Sequence, residues 1–109
     1  MNWSDLPESL AVKAVLLSGE PAWPPEAARE AIRYLSSKDL AVVSVEAWIP
    51  EHGSPRVVGW SDYKVANSRN WKEYVTQNVL QALKTIDDSE LKGALYNLTW
   101  IEESASDER

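Results

Sequence analysis

The sequence predicts a small α+β domain: a three-stranded, mainly antiparallel sheet with three helices packed mostly on one face, in the order ααββαβ. Residues 26–37 and 71–87 place apolar side chains at the i, i+3, i+4 spacing of a helix. Residues 40–65 alternate apolar and polar side chains around a loop with Pro and Gly, as β-hairpins do. With 109 residues the chain has the length of one domain, which we expect to span residues 1–102, followed by a disordered acidic tail, residues 103–109.

The composition narrows the classes of partner. Seventeen acidic residues against eleven basic ones give a net charge of −6, which repels nucleic-acid phosphates and anionic membranes but attracts a basic protein. The chain has no cysteine, so it forms neither a disulfide nor a thiolate metal site, which is compatible with a reducing cytosol. No apolar run approaches the length of a membrane span, and the N-terminus lacks the pattern of a signal peptide. We therefore expect a cytoplasmic protein that binds neither nucleic acid nor membrane.

The first elements are a helix and a connector. Residues 8–18 favour a helix, because an acidic residue lies in the first turn and Gly19 follows as a C-cap; the density of valine leaves a strand as the alternative. Residues 19–25, GEPAWPP, predict a rigid connector, since its prolines cannot donate ladder hydrogen bonds. Trp23 in this connector either packs back on the next helix or is an exposed anchor on a stiff loop.

The hairpin of residues 40–65 is expected to form both the floor of the core and the binding surface. Its first strand has one fully apolar face, which consists of Ala41, Val43, Val45, Ala47 and Ile49. A loop of odd length would add Val57, Tyr63 and Val65 to this face and would gather on the other face Glu46, Trp48, Arg56, Trp60, Asp62 and Lys64. A two-residue turn at His52 and Gly53 would mix the faces. Separated faces bury more apolar area, so the odd loop is favoured.

The last third predicts a helix and a strand after a polar loop. Asn70 suits the N-cap of the helix over residues 71–87. Asn78 interrupts the apolar stripe of that helix, either as a solvated side chain at its edge or as a buried amide bonded to the backbone. A polar connector over residues 87–93 leads to the third strand over residues 94–102, and that strand alternates in the same way as the hairpin.

The residue types do not predict catalysis. The single histidine, His52, lies in the hairpin loop, and one histidine with scattered carboxylates has no metal-ligand spacing. The four glycines form no phosphate-binding loop. Glu46 and Asp62 are the carboxylate pair that could support acid–base chemistry, although such pairs also arise on any solvated sheet face. We therefore expect that the protein is not an enzyme and that it binds neither a metal ion nor a cofactor.

Binding of another protein is the remaining hypothesis. The chain has six tryptophans and four tyrosines but no phenylalanine. On the favoured register Trp48 and Trp60 lie with Glu46 and Asp62 on the outward face, and aromatic anchors within a charged rim are typical of protein–protein hot spots. The alternative is that the third helix, or a dimer partner, covers these tryptophans.

Short motifs from Gly19 to Tyr63 carry a resemblance to a known family. They include Trp23-Pro24 opening a helix, a strand containing Glu46 and Trp48, and a second strand with Trp60 and Tyr63 close together, followed by an amphipathic helix. This pattern resembles a family of bacterial immunity proteins from polymorphic-toxin systems. Relatives tend to have an aspartate where this chain has Glu46 and a tyrosine where it has Trp48.

The resemblance implies a cytoplasmic antidote that binds and blocks a cognate toxin by occlusion. An acidic surface suits a basic toxin such as a nuclease, because charge complementarity accelerates encounter. The expected partner-binding residues are Trp23, Glu46, Trp48, Trp60, Asp62 and Tyr63. The alternative function is a small adaptor or homodimerising domain that uses the same face.

Overall fold

The computed structural model describes residues 2–63, 70–89 and 93–103. After a 3₁₀ turn at Trp3–Asp5, the elements are α1 (Glu8–Ala11), β1 (Val15–Leu17), β2 (Glu20–Ala22), α2 (Pro25–Ser37), β3 (Ala41–Glu51), β4 (Ser54–Asp62), α3 (Trp71–Asp88) and β5 (Leu95–Ile101). The main sheet is antiparallel in the order β4-β3-β5, and β1 and β2 pair separately. The predicted α+β fold is confirmed, with the small β1–β2 hairpin as an addition.

The core lies between the main sheet and the two long helices. Ile32 and Leu35 of α2 and Ile86 of α3 belong to one buried cluster with Val45 of β3 and Leu98 of β5, which pair across the sheet. We call this side of the sheet the helix face. The apolar side chains on the helix face are close to those predicted, and so are the extents of α2 and α3. A long amphipathic pattern is easy to predict because all its apolar side chains pack against one surface.

The helix predicted over residues 8–18 is wrong beyond its first turn. α1 ends at Ala11, and residues 15–17 form β1, which was the alternative. Ser18 and Gly19 both have positive φ, 51° and 81°, and they form a two-residue turn between Leu17 and Glu20 instead of a helix C-cap. Turns of this kind match the twist of the strands they join, so they favour a hairpin.

The connector predicted over residues 19–25 is also partly wrong, because residues 20–22 form β2. Pro21 lies opposite Leu16, next to the closing pair of the hairpin. Hydrogen-bonded and non-hydrogen-bonded pairs alternate in an antiparallel ladder, so a proline in the second pair from the turn loses no ladder bond. The prolines at positions 24 and 25 do occupy the N-cap and first position of α2.

The odd loop predicted for the main hairpin is wrong. His52 and Gly53, with φ of 54° and 79°, form a two-residue turn, and Glu51 pairs with Ser54. The faces near the turn are therefore exchanged relative to the prediction: Val57 lies opposite Trp48 instead of joining the helix face.

A β-bulge restores the predicted separation farther along β4. The register shifts between Ala47 and Trp48, so Val58 is an extra residue and Gly59 pairs with Ala47. From there Trp60 pairs with Glu46 and Ser61 with Val45, which puts Trp60 on the side of the sheet away from the helices. An inserted residue in the strand moves the side chains that follow it to the opposite face of the sheet, as an extra loop residue would.

The helix α3 begins and packs as expected. The side chain of Asn70 accepts hydrogen bonds from the N–H groups of Lys72 and Glu73, which confirms the predicted cap. Asn78 is 1% exposed and donates from Nδ2 to the carbonyl of Val42 at 2.9 Å, so it is the buried amide of the two alternatives. Most of the predicted polar loop before Asn70, residues 90–92 of the connector and the tail from residue 104 onward lie outside the described residues.

Candidate functional site

The side of the sheet opposite the helices carries the candidate site, and we call it the outer face. Cross-strand pairing arranges its residues in rows, since directly opposed residues share a face, and two neighbouring rows carry the expected carboxylates. The first row is Trp60, Glu46 and Asn97, and the second row is Asp62, Ser44 and Thr99. Three of the expected partner-binding residues therefore lie together here.

Trp60 dominates the open part of the outer face. All six tryptophans lie in the described residues, and among them Trp60 alone is exposed, at 70%. It lies on β4, one of the two outermost strands in the described main sheet. Asp62, two residues along the same strand, is also exposed. Exposed aromatic side chains next to charged residues are typical of protein–protein interfaces.

Trp48 is not an exposed anchor, which corrects the prediction. It is only 4% exposed and forms a second buried cluster with Leu17, Ala22 and Leu95. The β1–β2 hairpin therefore covers it, and neither the third helix nor a dimer partner is needed. The hairpin was missed because residues 15–22 were divided between a helix and a connector. The Ser18-Gly19 dipeptide, directly after the apolar run of residues 15–17, is the signal that indicates a turn there.

Hydrogen bonds at both ends help to hold the β1–β2 hairpin on the outer face. The side chain of Asn97 donates from Nδ2 to the carbonyl of Pro21 at 2.8 Å. At the other end, the N–H of Ser18 donates to the carbonyl of Gly53 at 3.0 Å, and Ser18 Oγ lies 3.1 Å from Ser54 Oγ. The hairpin thus reaches from β5 to the tip of the β3–β4 hairpin, and it leaves Trp60 and Asp62 uncovered.

Trp23 and Tyr63 are buried as well, so neither is available to a partner in this fold. Trp23 is 0% exposed; its Nε1 donates to the carbonyl of Leu10 at 2.9 Å, and its backbone exchanges two hydrogen bonds with Tyr96. Tyr63 is 8% exposed, and its hydroxyl bonds to Thr85 on α3. Burial raises the pKa of Tyr63, the nearby Asp62 adds to the rise, and hydrogen bonds to Thr85 and Ser61 oppose it.

Glu46 connects the covered and uncovered parts of the outer face. It is half-buried, and one carboxylate oxygen, Oε1, accepts a hydrogen bond from Trp48 Nε1 at 2.8 Å. The ion pairs that join described residues involve neither Glu46 nor Asp62. The rows around Trp60 thus carry two carboxylates without a basic partner among the described residues.

A groove borders these rows on the side of β5. It has a volume of about 340 Å³ and is lined by Asn2, Trp3, Glu20, Pro21, Asn97, Thr99 and Trp100. It is a shallow feature open to solvent, formed where the N-terminal turn and β2 pass the outer edge of β5. Sequence reasoning did not assign a role to Asn97 or Trp100.

Within the described ranges, no group of three or more His, Asp or Glu side chains is placed to hold a metal ion. No helix in that part of the chain is long and apolar enough to cross a membrane. Comparisons of the chain with protein-family models, with curated proteins and with solved structures found no match.

Proposed function

We propose that the protein is an immunity protein that binds a bacterial toxin and blocks it by occlusion, with no chemistry of its own. The surface that does this is the uncovered part of the outer face: Trp60, Asp62 and Glu46. The observation that carries the proposal is the 70% exposure of Trp60 beside two carboxylates on the uncovered part of the outer face. The family resemblance of the short motifs supports the same function.

Charge supports a basic partner. The net charge of −6 gives the chain a field that accelerates encounter with a positively charged protein, and this acceleration weakens as salt screens it. Glu46 and Asp62 would then pair with basic side chains of the toxin at short range. Opposite charges at an interface contribute mainly to specificity and association rate.

Trp60 would supply much of the affinity. An exposed tryptophan buried at the centre of an interface commonly costs about 2 kcal/mol or more when it is truncated, which is roughly a 30-fold loss of affinity. The covered tryptophans would contribute nothing directly, because Trp23 and Trp48 already contact other parts of the chain.

A protection assay tests the proposal. The chain is co-expressed in a bacterium with each candidate toxin domain that a neighbouring gene encodes, and survival is compared for the native chain and Trp60→Ala. The matched control is Leu80→Ala, which removes another apolar side chain, 63% exposed, from α3. We expect Trp60→Ala to lose protection and Leu80→Ala to keep it. Full protection by a folded Trp60→Ala protein would show that the surface is wrong.

The alternative, a homodimerising domain that uses the same face, is separated by ultracentrifugation. An immunity protein that presents Trp60 to a toxin should sediment as a monomer when it is alone. A stable dimer that becomes monomeric in Trp60→Ala, together with no protection by the native chain, would favour the alternative.

A further inference from the structure

Among the described strands, β4 lies at one edge of the main sheet and carries Trp60. β4 is an outermost strand in the order β4-β3-β5. The N–H of Tyr63 donates to the carbonyl of Val43 on β3 at 2.9 Å. Because backbone groups alternate in direction along an antiparallel strand, the N–H and C=O groups of Ser61 also point to β3, whereas those of Trp60 and Asp62 point away from the sheet.

The two halves of β4 differ in how well this edge is guarded. Natural proteins protect edge strands with prolines and bulges, which prevent another strand from pairing. The first half of β4 has both devices, Pro55 and the bulge at Val58. The second half, from Gly59 to Asp62, has neither.

We propose that the second half of β4 accepts an extended, basic segment of the partner as an added strand, next to β4 in the main sheet. This inference rests on the proposed function and names the element of the toxin that is recognised. Addition of a strand to an open sheet edge is a common mode of peptide recognition, in which main-chain hydrogen bonds give affinity and alternate side chains give specificity.

The charge of the neighbouring side chains selects a basic segment. Alternate side chains of an added strand would lie on the outer face, directly beside Trp60 and Asp62. A guanidinium there can stack on the indole of Trp60 and pair with the carboxylate of Asp62. The carboxylate of Glu46 lies one strand farther in, opposite Trp60, and adds to the negative potential. An acidic segment in the same place would be repelled by the carboxylates of Asp62 and Glu46.

The inference can be tested without the toxin. The probe is the capped peptide acetyl-Arg-Val-Arg-Val-Arg-Val-amide, added to the full chain in low salt, and amide hydrogen exchange is followed residue by residue by NMR. We expect the amides of Trp60 and Asp62 to slow about tenfold or more at saturation, because they gain hydrogen bonds. The amides of Ser61 and Tyr63 already bond to β3, so they are internal controls that should change little.

Two control peptides separate strand addition from simple charge attraction. The peptide with Glu in place of Arg should not bind. The peptide N-methylated at all six residues should bind at least about tenfold more weakly, since it can donate no main-chain hydrogen bond to β4 in either strand direction. Asp62→Asn should weaken the Arg peptide several-fold, whereas Glu73→Gln, which removes an exposed carboxylate on α3, should not. Equal binding of the N-methylated peptide, no binding of the Arg peptide, or exchange that slows only elsewhere would overturn the inference.

The same readout distinguishes this inference from the proposed function. If the native chain protects against the toxin but the Trp60 and Asp62 amides of the toxin complex exchange as in the free chain, the strand addition is wrong and the immunity function stands. If the Arg peptide pairs with β4 but the chain gives no protection, the edge is a peptide site and the immunity function is wrong.

Discussion

Trp48 Nε1 donates a hydrogen bond to Glu46 Oε1 across 2.8 Å, from two residues along the same face of β3. Trp48 is buried beneath the β1–β2 hairpin, while Glu46 is half-buried and lies opposite the exposed Trp60. The bond thus fixes the position of the Glu46 carboxylate. This carboxylate lies at the border between the covered part of the outer face and the proposed binding surface.

Replacement of Glu46 should separate its two roles. Glu46→Gln retains an oxygen acceptor for Trp48, so we expect the free energy of unfolding to change by less than about 0.5 kcal/mol while the affinity for a basic partner falls. Glu46→Ala leaves the indole N–H of Trp48 without its partner and should cost about 1–3 kcal/mol. Urea unfolding of the native chain and the two variants measures both changes in the free energy of unfolding. Equal destabilisation by the two substitutions would contradict a structural role for the acceptor.

Truncation of the two outer-face tryptophans should have opposite consequences. Trp48→Ala removes a buried side chain from beneath the β1–β2 hairpin and should lower the free energy of unfolding by about 3–5 kcal/mol. Trp60→Ala removes an exposed side chain and should change that free energy by about 0.5 kcal/mol or less. Urea denaturation followed by circular dichroism provides the comparison. A Trp60→Ala variant as unstable as Trp48→Ala would mean that Trp60 is not solvent-exposed.

Removal of the buried Asn78 amide should lower the free energy of unfolding. Asn78 Nδ2 donates to the carbonyl of Val42, next to the register shift between β3 and β5. Asn78→Ala leaves that carbonyl without its side-chain donor, and we expect a loss of about 1–3 kcal/mol of stability. Gln77→Ala, on the exposed side of α3, is the control and should be nearly neutral. A neutral Asn78→Ala would show that the bond contributes little.

The stability that Tyr63 provides should disappear in alkali. Burial raises the pKa of Tyr63 in the folded state above its ordinary value of 10.0. A group whose folded pKa is raised contributes fully below the unfolded pKa, and that contribution is lost as the pH rises through the folded pKa. Tyr63→Phe also loses the hydrogen bond to Thr85, so at about pH 8 it should be less stable than the native chain by about 1 kcal/mol.

We expect this gap between the native chain and Tyr63→Phe to narrow as the pH is raised from about 10 to 11, because only the native chain has to ionise a buried phenol. Urea unfolding of both proteins at a series of pH values measures the gap. A gap that stays constant over that interval would contradict the raised pKa.

The two-residue turn of the main hairpin should respond to residues that prefer positive φ. His52 has a φ of 54°, which is unfavourable for most side chains but tolerated by asparagine. His52→Asn should therefore stabilise the fold by a few tenths of a kcal/mol, and His52→Val should destabilise it by about 1 kcal/mol or more. Thermal unfolding compares the two variants. The reverse order would be expected only if the loop were longer than two residues.

Local pattern was sufficient for the long elements. The stripes of α2 and α3 repeat over several turns, and the apolar face of β3 repeats over five alternate residues, so no other structure buries these side chains as well. The cap at Asn70 was predicted for the same reason: it depends on the neighbouring two or three residues alone.

Local pattern failed where one segment can form either a helix or a strand and a distant contact decides between them. Residues 15–17 could continue a helix, and they form β1 because the turn at Ser18 and Gly19 folds them onto β2 and because Leu17 packs against Trp48 from a distant strand. The burial of Trp48 depends on that docking. No pattern within β3 indicates it.

The sequence by itself determined an acidic α+β domain with two amphipathic helices, a hairpin between them and aromatic side chains beside carboxylates, because those features depend on composition and on neighbours along the chain. Only the tertiary structure decided which aromatic side chain faces water. The two-residue turn at His52 and Gly53 alone would have mixed the faces, and the bulge at Val58 separates them again. The β1–β2 hairpin then covers Trp48 and leaves Trp60 exposed on the edge strand, since a cover docked through Leu17, Ser18 and Asn97 ends before it reaches the second half of β4.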